Sequence, residues 1–168
     1  MRVESIVPRG DLSFEEPRHF ELERLAHQLA ATGQHDLAVV VAQTACEVFT
    51  ELAVSRLLER NRLGGLGRIL SDSVRVWSLA DDRGGQRIFN ELTGSQIQQQ
   101  NEWWRAYKEH LGRRHRVIHG GARVSSDEAH ASLAATESSL GYVARRAVVG
   151  LALAAWSGRE RGWRPTGR

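Results

Sequence analysis

The sequence gathers its chemically capable side chains into one segment, Arg113-Arg114-His115-Arg116-Val117-Ile118-His119, which runs into the pair Gly120-Gly121. An imidazole can move a proton near neutral pH and a guanidinium can stabilise charge on a phosphate, so Arg114 and His119 together suit phosphodiester chemistry. On a helical wheel of about 100° per residue, with Tyr107 at zero, Arg114 falls at about −20°, Ile118 at about 20° and Leu111 at about 40°. Arg114 therefore belongs to the inward stripe of its helix. A guanidinium placed there keeps its charge and must reach water, an anion or a carboxylate. Glu47, set among Cys46, Val48 and Phe49 with Gln43 and Glu51 one turn to either side, is the natural internal partner. A buried Arg114–Glu47 ion pair is the plainer reading of these residues, but it leaves His119 unexplained. On a regular helix His119 would lie about 140° from Arg114. The two glycines that follow predict an irregular ending instead. His115 and His119 also have the i, i+4 spacing of metal ligands, but no third His, Cys or carboxylate joins them at ligand spacing, and no metal site is expected.

Positioning this segment requires helices, and the pattern is helical nearly throughout. Only Pro8, Pro17 and Pro165 occur, so no proline interrupts the interior. Residues 1–16 read as an irregular arm. Pro17 can open a helix in which Phe20, Leu22, Leu25 and Leu29 recur at helical spacing until Gly33. A second helix is expected from His35 or Asp36 to about Asn61. Its stretch from Leu37 to Ala53 is apolar on nearly all sides, as suits the centre of a bundle. Gly64, Gly65 and Gly67 break the pattern, too closely spaced and without the Lys-Ser/Thr of a phosphate-binding loop. Further helices are expected over about 66–80, 88–92 and 96–118, with a turn at Asp81-Asp82-Arg83-Gly84-Gly85. Ser125 followed by Glu128 is a capping-box signature for a last helix over about 126–157. The expectation is an all-α bundle of four to five helices over residues 17–157, with 158–168 as a flexible basic tail.

Arg114-His115-Arg116-Val117-Ile118-His119-Gly120 resembles the Arg-x4–6-His signature of HEPN domains, in which a polar residue commonly follows the arginine and small residues often follow the histidine. The helix from Leu37 to Phe49, with Glu47 in it, is similar to the long early helix of that family, which bears an acidic residue. The likeness extends over about residues 20 to 157. It implies a helical bundle, usually a homodimer with the motifs of two subunits facing one another. It further implies a metal-independent endoribonuclease without a cofactor, of the kind found in toxin–antitoxin or antiphage systems. Arg114 would hold or stabilise the scissile phosphate and His119 would transfer a proton at the 2′-hydroxyl. His115 would orient the pair or bind substrate, with Glu47 supporting. Arg113, Arg116 and Arg123 would contact RNA. RNA, a second copy and an antitoxin or other regulatory protein are the partners implied. The alternative within the same likeness is a non-catalytic module binding nucleotide, RNA or protein.

Composition agrees with a globular chain and narrows little else. Of 168 residues, 41% are hydrophobic and 26% charged, which excludes disorder as the main state. Residues 1–100 carry 11 Lys+Arg against 14 Asp+Glu, whereas residues 101–168 carry 12 against 6. A basic C-terminal third suits a polyanion. An arginine bias with Lys108 as the single lysine is also what a GC-rich genome produces. The longest uninterrupted apolar stretch, Ala147 to Trp156, is about half of the ~20 residues that cross a bilayer, so no membrane span is expected. No secretory signal is visible, and the lone Cys46 fits a reducing, cytoplasmic setting. Cys46 reads as a small core residue. Trp103 and Trp104 point about 100° apart and read as packing, at most one of them inward. Trp156, Arg159, Arg161, Trp163 and Arg164 interleave rings and cations in the tail, and His27 and His35 read as surface or capping residues.

Overall fold

The computed structural model describes residues 17–61, 63, 79, 84–97 and 102–162, of which 102 and 152–162 by backbone alone. Five α-helices follow in order: α1 (Arg18–Ala31), α2 (His35–Arg60), α3 (Gly85–Thr93), α4 (Glu102–Gly120) and α5 (Ser126–Gly162). The fold is all-α, with no strand among the described residues. The expected arm over 1–16, the expected helix over 66–80 and the polar tract Gln98–Gln100 fall outside the described residues.

Local chemistry explains the helix ends. Pro17, at φ −56°, precedes α1 and its carbonyl accepts from Phe20 N–H at 2.9 Å. Gly33 closes α1 in the left-handed region at φ 79°, donating to Ala30 O at 3.1 Å while Gln34 N–H reaches Leu29 O at 2.8 Å. This paired return satisfies carbonyls that a side-chain-bearing residue at that φ would strain to reach. At the head of α5 the expected capping box is formed. Glu128 N–H donates to Ser125 Oγ at 3.3 Å, and the Glu128 carboxylate accepts from Ser125 N–H at 3.0 Å. That helix runs on to Gly162, five residues beyond the expected 157.

α2 is the axis of the bundle. It packs on α1, α3, α4 and α5, and its buried positions include Ala38, Ala42, Ala45, Cys46, Ala53, Val54 and Leu57. Small residues there let the neighbouring helices approach. Over an 18-residue window α2 has a mean hydropathy of 1.6, enough by length and composition to cross a bilayer, and half of that window is buried in the bundle. A count of uninterrupted apolar residues overlooks this helix because Gln43, Thr44 and Glu47 are spaced through it. The main core joins Val54 and Leu57 to Phe89, Trp104, Tyr107, Tyr142 and Val143. Trp104 is buried, and Trp103 stacks on Tyr142 with ring centroids 4.4 Å apart, so both rings are spent on packing. α5 comes close to α2 and α3 at Gly150, where a Cβ would stand 2.8 Å from Leu57 Cδ2 and 3.0 Å from Leu92 O.

Candidate functional site

The Arg113–His119 segment occupies the last two turns of α4, and the helix continues through Gly120. The expected irregular ending is not found, and the backbone gives the reason. Gly121, not Gly120, takes the left-handed turn at φ 60°, with its N–H on Val117 O at 3.2 Å. Regular helix up to that point leaves His119 about 140° around the axis from Arg114. His119 instead aligns with His115, one turn earlier. Their rings lie 4.6 Å apart at 48°, and both side chains are exposed.

Arg114 sits half-buried on the opposite, inward side, and its Nε is fully buried with no hydrogen-bond partner. Among the described residues no ion pair or hydrogen bond joins it to Glu47. Gln43 stands in that role for Glu47. The Gln43 Nε2 donates to Glu47 Oε1 at 2.9 Å, and its Oε1 accepts from Tyr107 Oη at 3.2 Å and from His110 Nε2 at 3.1 Å. A chain of neutral buried side chains, Tyr107, His110 and Gln43, ending on the half-buried Glu47 carboxylate, has formed where an ion pair was expected, and it avoids desolvating a guanidinium–carboxylate pair.

Gln43 and His110 are the residues that sequence reasoning passed over. His110 is 0% exposed, and burial, followed by the charges of Arg113 and Arg114, pushes its imidazole down to about 4. Its wheel position was available: three residues after Tyr107 and one turn before Arg114, on the same inward stripe. Burial likewise drives the Tyr107 hydroxyl and the Cys46 thiol upward. Cys46 Sγ donates to Thr136 O at 3.6 Å, so it is a core thiol rather than a nucleophile.

The three arginines expected to contact RNA each meet a carboxylate. Arg113 lies 3.7 Å from Glu109 and donates to Ser132 Oγ at 3.3 Å, with only 14% of its side chain exposed. Arg116 lies 3.6 Å from Glu128, whose carboxyl is held low chiefly by the Ser125 backbone N–H. Arg123, almost wholly exposed, pairs with Asp36 at 3.0 Å. The same Asp36 accepts Val124 N–H at 2.7 Å, which fastens the loop after His119 to the first turn of α2. Exposed pairs of this sort are weak and exchange readily for another anion, so Arg116 and Arg123 remain accessible to phosphate while Arg113 is committed inward. His27, at the surface of α1, meets Glu137 of α5 at 2.8 Å.

Among the described residues no group of three His, Cys, Asp or Glu side chains converges as a metal cage. A cleft of about 550 Å³ runs along α3 between Arg87, Asn90 and Glu91 and the Gly94–Ile97 loop, and contains no residue of the Arg113–His119 segment. A smaller one of about 280 Å³ adjoins the segment through Arg123 and Val124, with His35 and Asp36 on its other wall.

No family model, no curated protein and no solved structure matches this chain.

Proposed function

We propose that this chain is a HEPN-like, RNA-directed helical protein that cleaves its substrate without a metal. The observation that carries the reading is the exposed imidazole pair His115/His119, its rings 4.6 Å apart, on the last two turns of a helix whose neighbouring side chains are arginines. Cleavage would proceed by attack of an RNA 2′-hydroxyl on the adjacent phosphorus. His119 takes the hydroxyl proton, a second acid returns one to the departing 5′-oxygen, and a 2′,3′-cyclic phosphate is left. His115 orients His119 or binds the sugar–phosphate, and Arg114 offers its guanidinium to the phosphoryl oxygens. Because Arg114 and His119 diverge by about 140° around α4, one chain does not offer both to a single phosphorus. A second copy, joined across a twofold axis near the end of α4, supplies the missing partner. A role as toxin or effector, held in check by a regulatory protein in the cytoplasm, is consistent with this chemistry.

The second reading is a non-catalytic module that binds RNA or another polyanion. The same divergence favours it, since a binding surface needs no convergence on one atom. Incubating the purified protein with RNA in EDTA, beside His119→Ala, separates the two. Chelator-resistant cutting that the variant loses supports the enzyme. Binding without cutting supports the module.

A further inference from the structure

The tautomer of His110 can be deduced from its neighbours. A carboxylate oxygen only accepts, so the Gln43 amide must turn its nitrogen to Glu47, at 2.9 Å. Gln43 Oε1 is then the atom that faces α4, and the His110 Nε2 at 3.1 Å must be the one that carries the proton. The ring is fully buried and flanked by two guanidinium groups, which keeps it neutral. Its Nδ1 is therefore a bare lone pair, buried and without a hydrogen-bond partner. One turn further along the same face, the Nε–H of Arg114 is a buried donor without a partner. Residues at i, i+4 on a helix are side-chain neighbours. Each atom is the complement that the other lacks.

We propose that His110 is the positioning residue of Arg114: the two orphaned atoms, not bonded to each other in this structure, close an Nε–H···Nδ1 hydrogen bond through a change of side-chain rotamer within one helical turn. Gln43 is the lock of this arrangement, because it fixes which ring nitrogen is left to accept. A neutral acceptor at Nε holds the plane of the guanidinium yet leaves its full charge and its two Nη groups for an external anion. A carboxylate in the same place would neutralise that charge. The value of the arrangement to function rests on the RNA reading given above, but the contact itself does not.

The test has two arms on the full-length protein. The first uses no RNA. Nitrogen-15 NMR of the imidazoles and of the arginine Nε–H groups should show His110 protonated at Nε2 and an Arg114 Nε–H protected from solvent exchange. Arg114→Lys, a partly exposed substitution that retains charge, should move the His110 Nδ1 resonance and leave Nε2 in place. An Arg114 Nε–H that exchanges as fast as those of exposed arginines, or a Nδ1 resonance indifferent to Arg114→Lys, overturns the proposal. The second arm measures affinity for a single-stranded RNA oligonucleotide. His110→Leu should lose about 10-fold or more, the value of one hydrogen bond to a charged group, and His110→Gln, which can still accept, should recover most of it. The double variant His110→Leu/Arg114→Lys should bind no worse than Arg114→Lys alone. Independent, additive losses overturn the proposal. An NMR contact that is present in a protein without affinity for RNA upholds the positioning role and overturns the RNA reading instead.

Discussion

Gln43 and His110 are joined across the α2–α4 interface by a 3.1 Å hydrogen bond between fully buried side chains, and that bond sets the polarity of the bundle's interior. Three polar groups, from Glu47, Tyr107 and His110, converge on one amide. Removing the amide strands two of them inside the core.

Gln43→Leu, close to isosteric, should therefore destabilise the fold by about 2–5 kcal/mol, since each buried donor left unmade costs about 1–3 kcal/mol. Tyr107→Phe alone should cost only about 1 kcal/mol, because it takes a donor away rather than stranding one. Combined with Gln43→Leu it should recover part of the loss. Urea unfolding of the three variants measures this. Equal and additive losses would mean that the hydroxyl and the amide act separately.

The same burial makes stability depend on pH in a defined direction. His110 is pushed from 6.5 to about 4 by burial first and then by Arg113 and Arg114. The unfolded chain takes up this proton as pH falls below 6.5, while the native chain resists until about 4. The contribution is whole above the unfolded value and is lost progressively between the two. That gap corresponds to about 3 kcal/mol. Unfolding free energies at pH 7, 5 and 4 should show the decline in the wild type and a shallower one in His110→Gln. Parallel curves would assign the acid sensitivity to other groups.

Much of this architecture could be read from the residues, and the failures have a common cause. The helix before Gly33, the Gly33 stop and the Ser125–Glu128 cap each depend on chemistry within one helical turn, and each appears where expected, although Phe20 and Leu25 are exposed and His19, Ala26 and Ala30 form the buried face of α1. The same local geometry puts Arg114 half-buried on the inner side of α4, whereas Ile118, expected on that stripe, is 43% exposed. Gln43 and Glu47 lie one turn apart on the same face of α2, so the choice between them as the group that meets α4 depends on how far α2 slides along α4. An apolar surface that wide leaves this axial register undetermined in sequence. The ending of α4 turned on which of two adjacent glycines adopts positive φ. A shift of one residue there decides whether His119 stays in register with His115.

Asp36 is the anchor of the loop that follows His119. Its Oδ1 takes Val124 N–H and its Oδ2 takes Arg123. Arg123 is 93% exposed, so its ion pair should contribute little, whereas the partly buried backbone bond should contribute about 1 kcal/mol or more. Asp36→Asn keeps an acceptor for Val124 and should stay within about 0.5 kcal/mol of wild type. Asp36→Ala should lose about 1–2 kcal/mol and speed hydrogen exchange at the Val124 amide. The reverse order of the two variants would make the charge, not the backbone bond, the anchor.

The decisive prediction concerns the last turns of α4, where three chemistries make different demands on the same side chains. If His119 moves the proton, His119→Ala should cut cleavage by about 10²–10⁴-fold and leave RNA affinity nearly unchanged. Arg114→Lys should be damaging despite conserving charge, because an ammonium lacks the planar two-donor fork. Affinity should fall as salt rises, since the basic residues of the C-terminal third release counterions from RNA on binding. Arg123→Ala should reduce that salt slope more than Arg113→Ala, because Arg113 is already turned inward to Glu109 and Ser132. A binding module has no cleavage to lose, and its His119 and Arg114 variants would weaken affinity together. A metal site on the His115/His119 pair would require EDTA to abolish activity, zinc or manganese to restore it, and His115→Ala to be as harmful as His119→Ala. Cleavage and binding measured for these variants, with and without chelator, assign the segment to one of the three. His119→Ala cutting RNA as fast as wild type would remove His119 as the proton carrier, and the same result for His115→Ala/His119→Ala would end the ribonuclease reading.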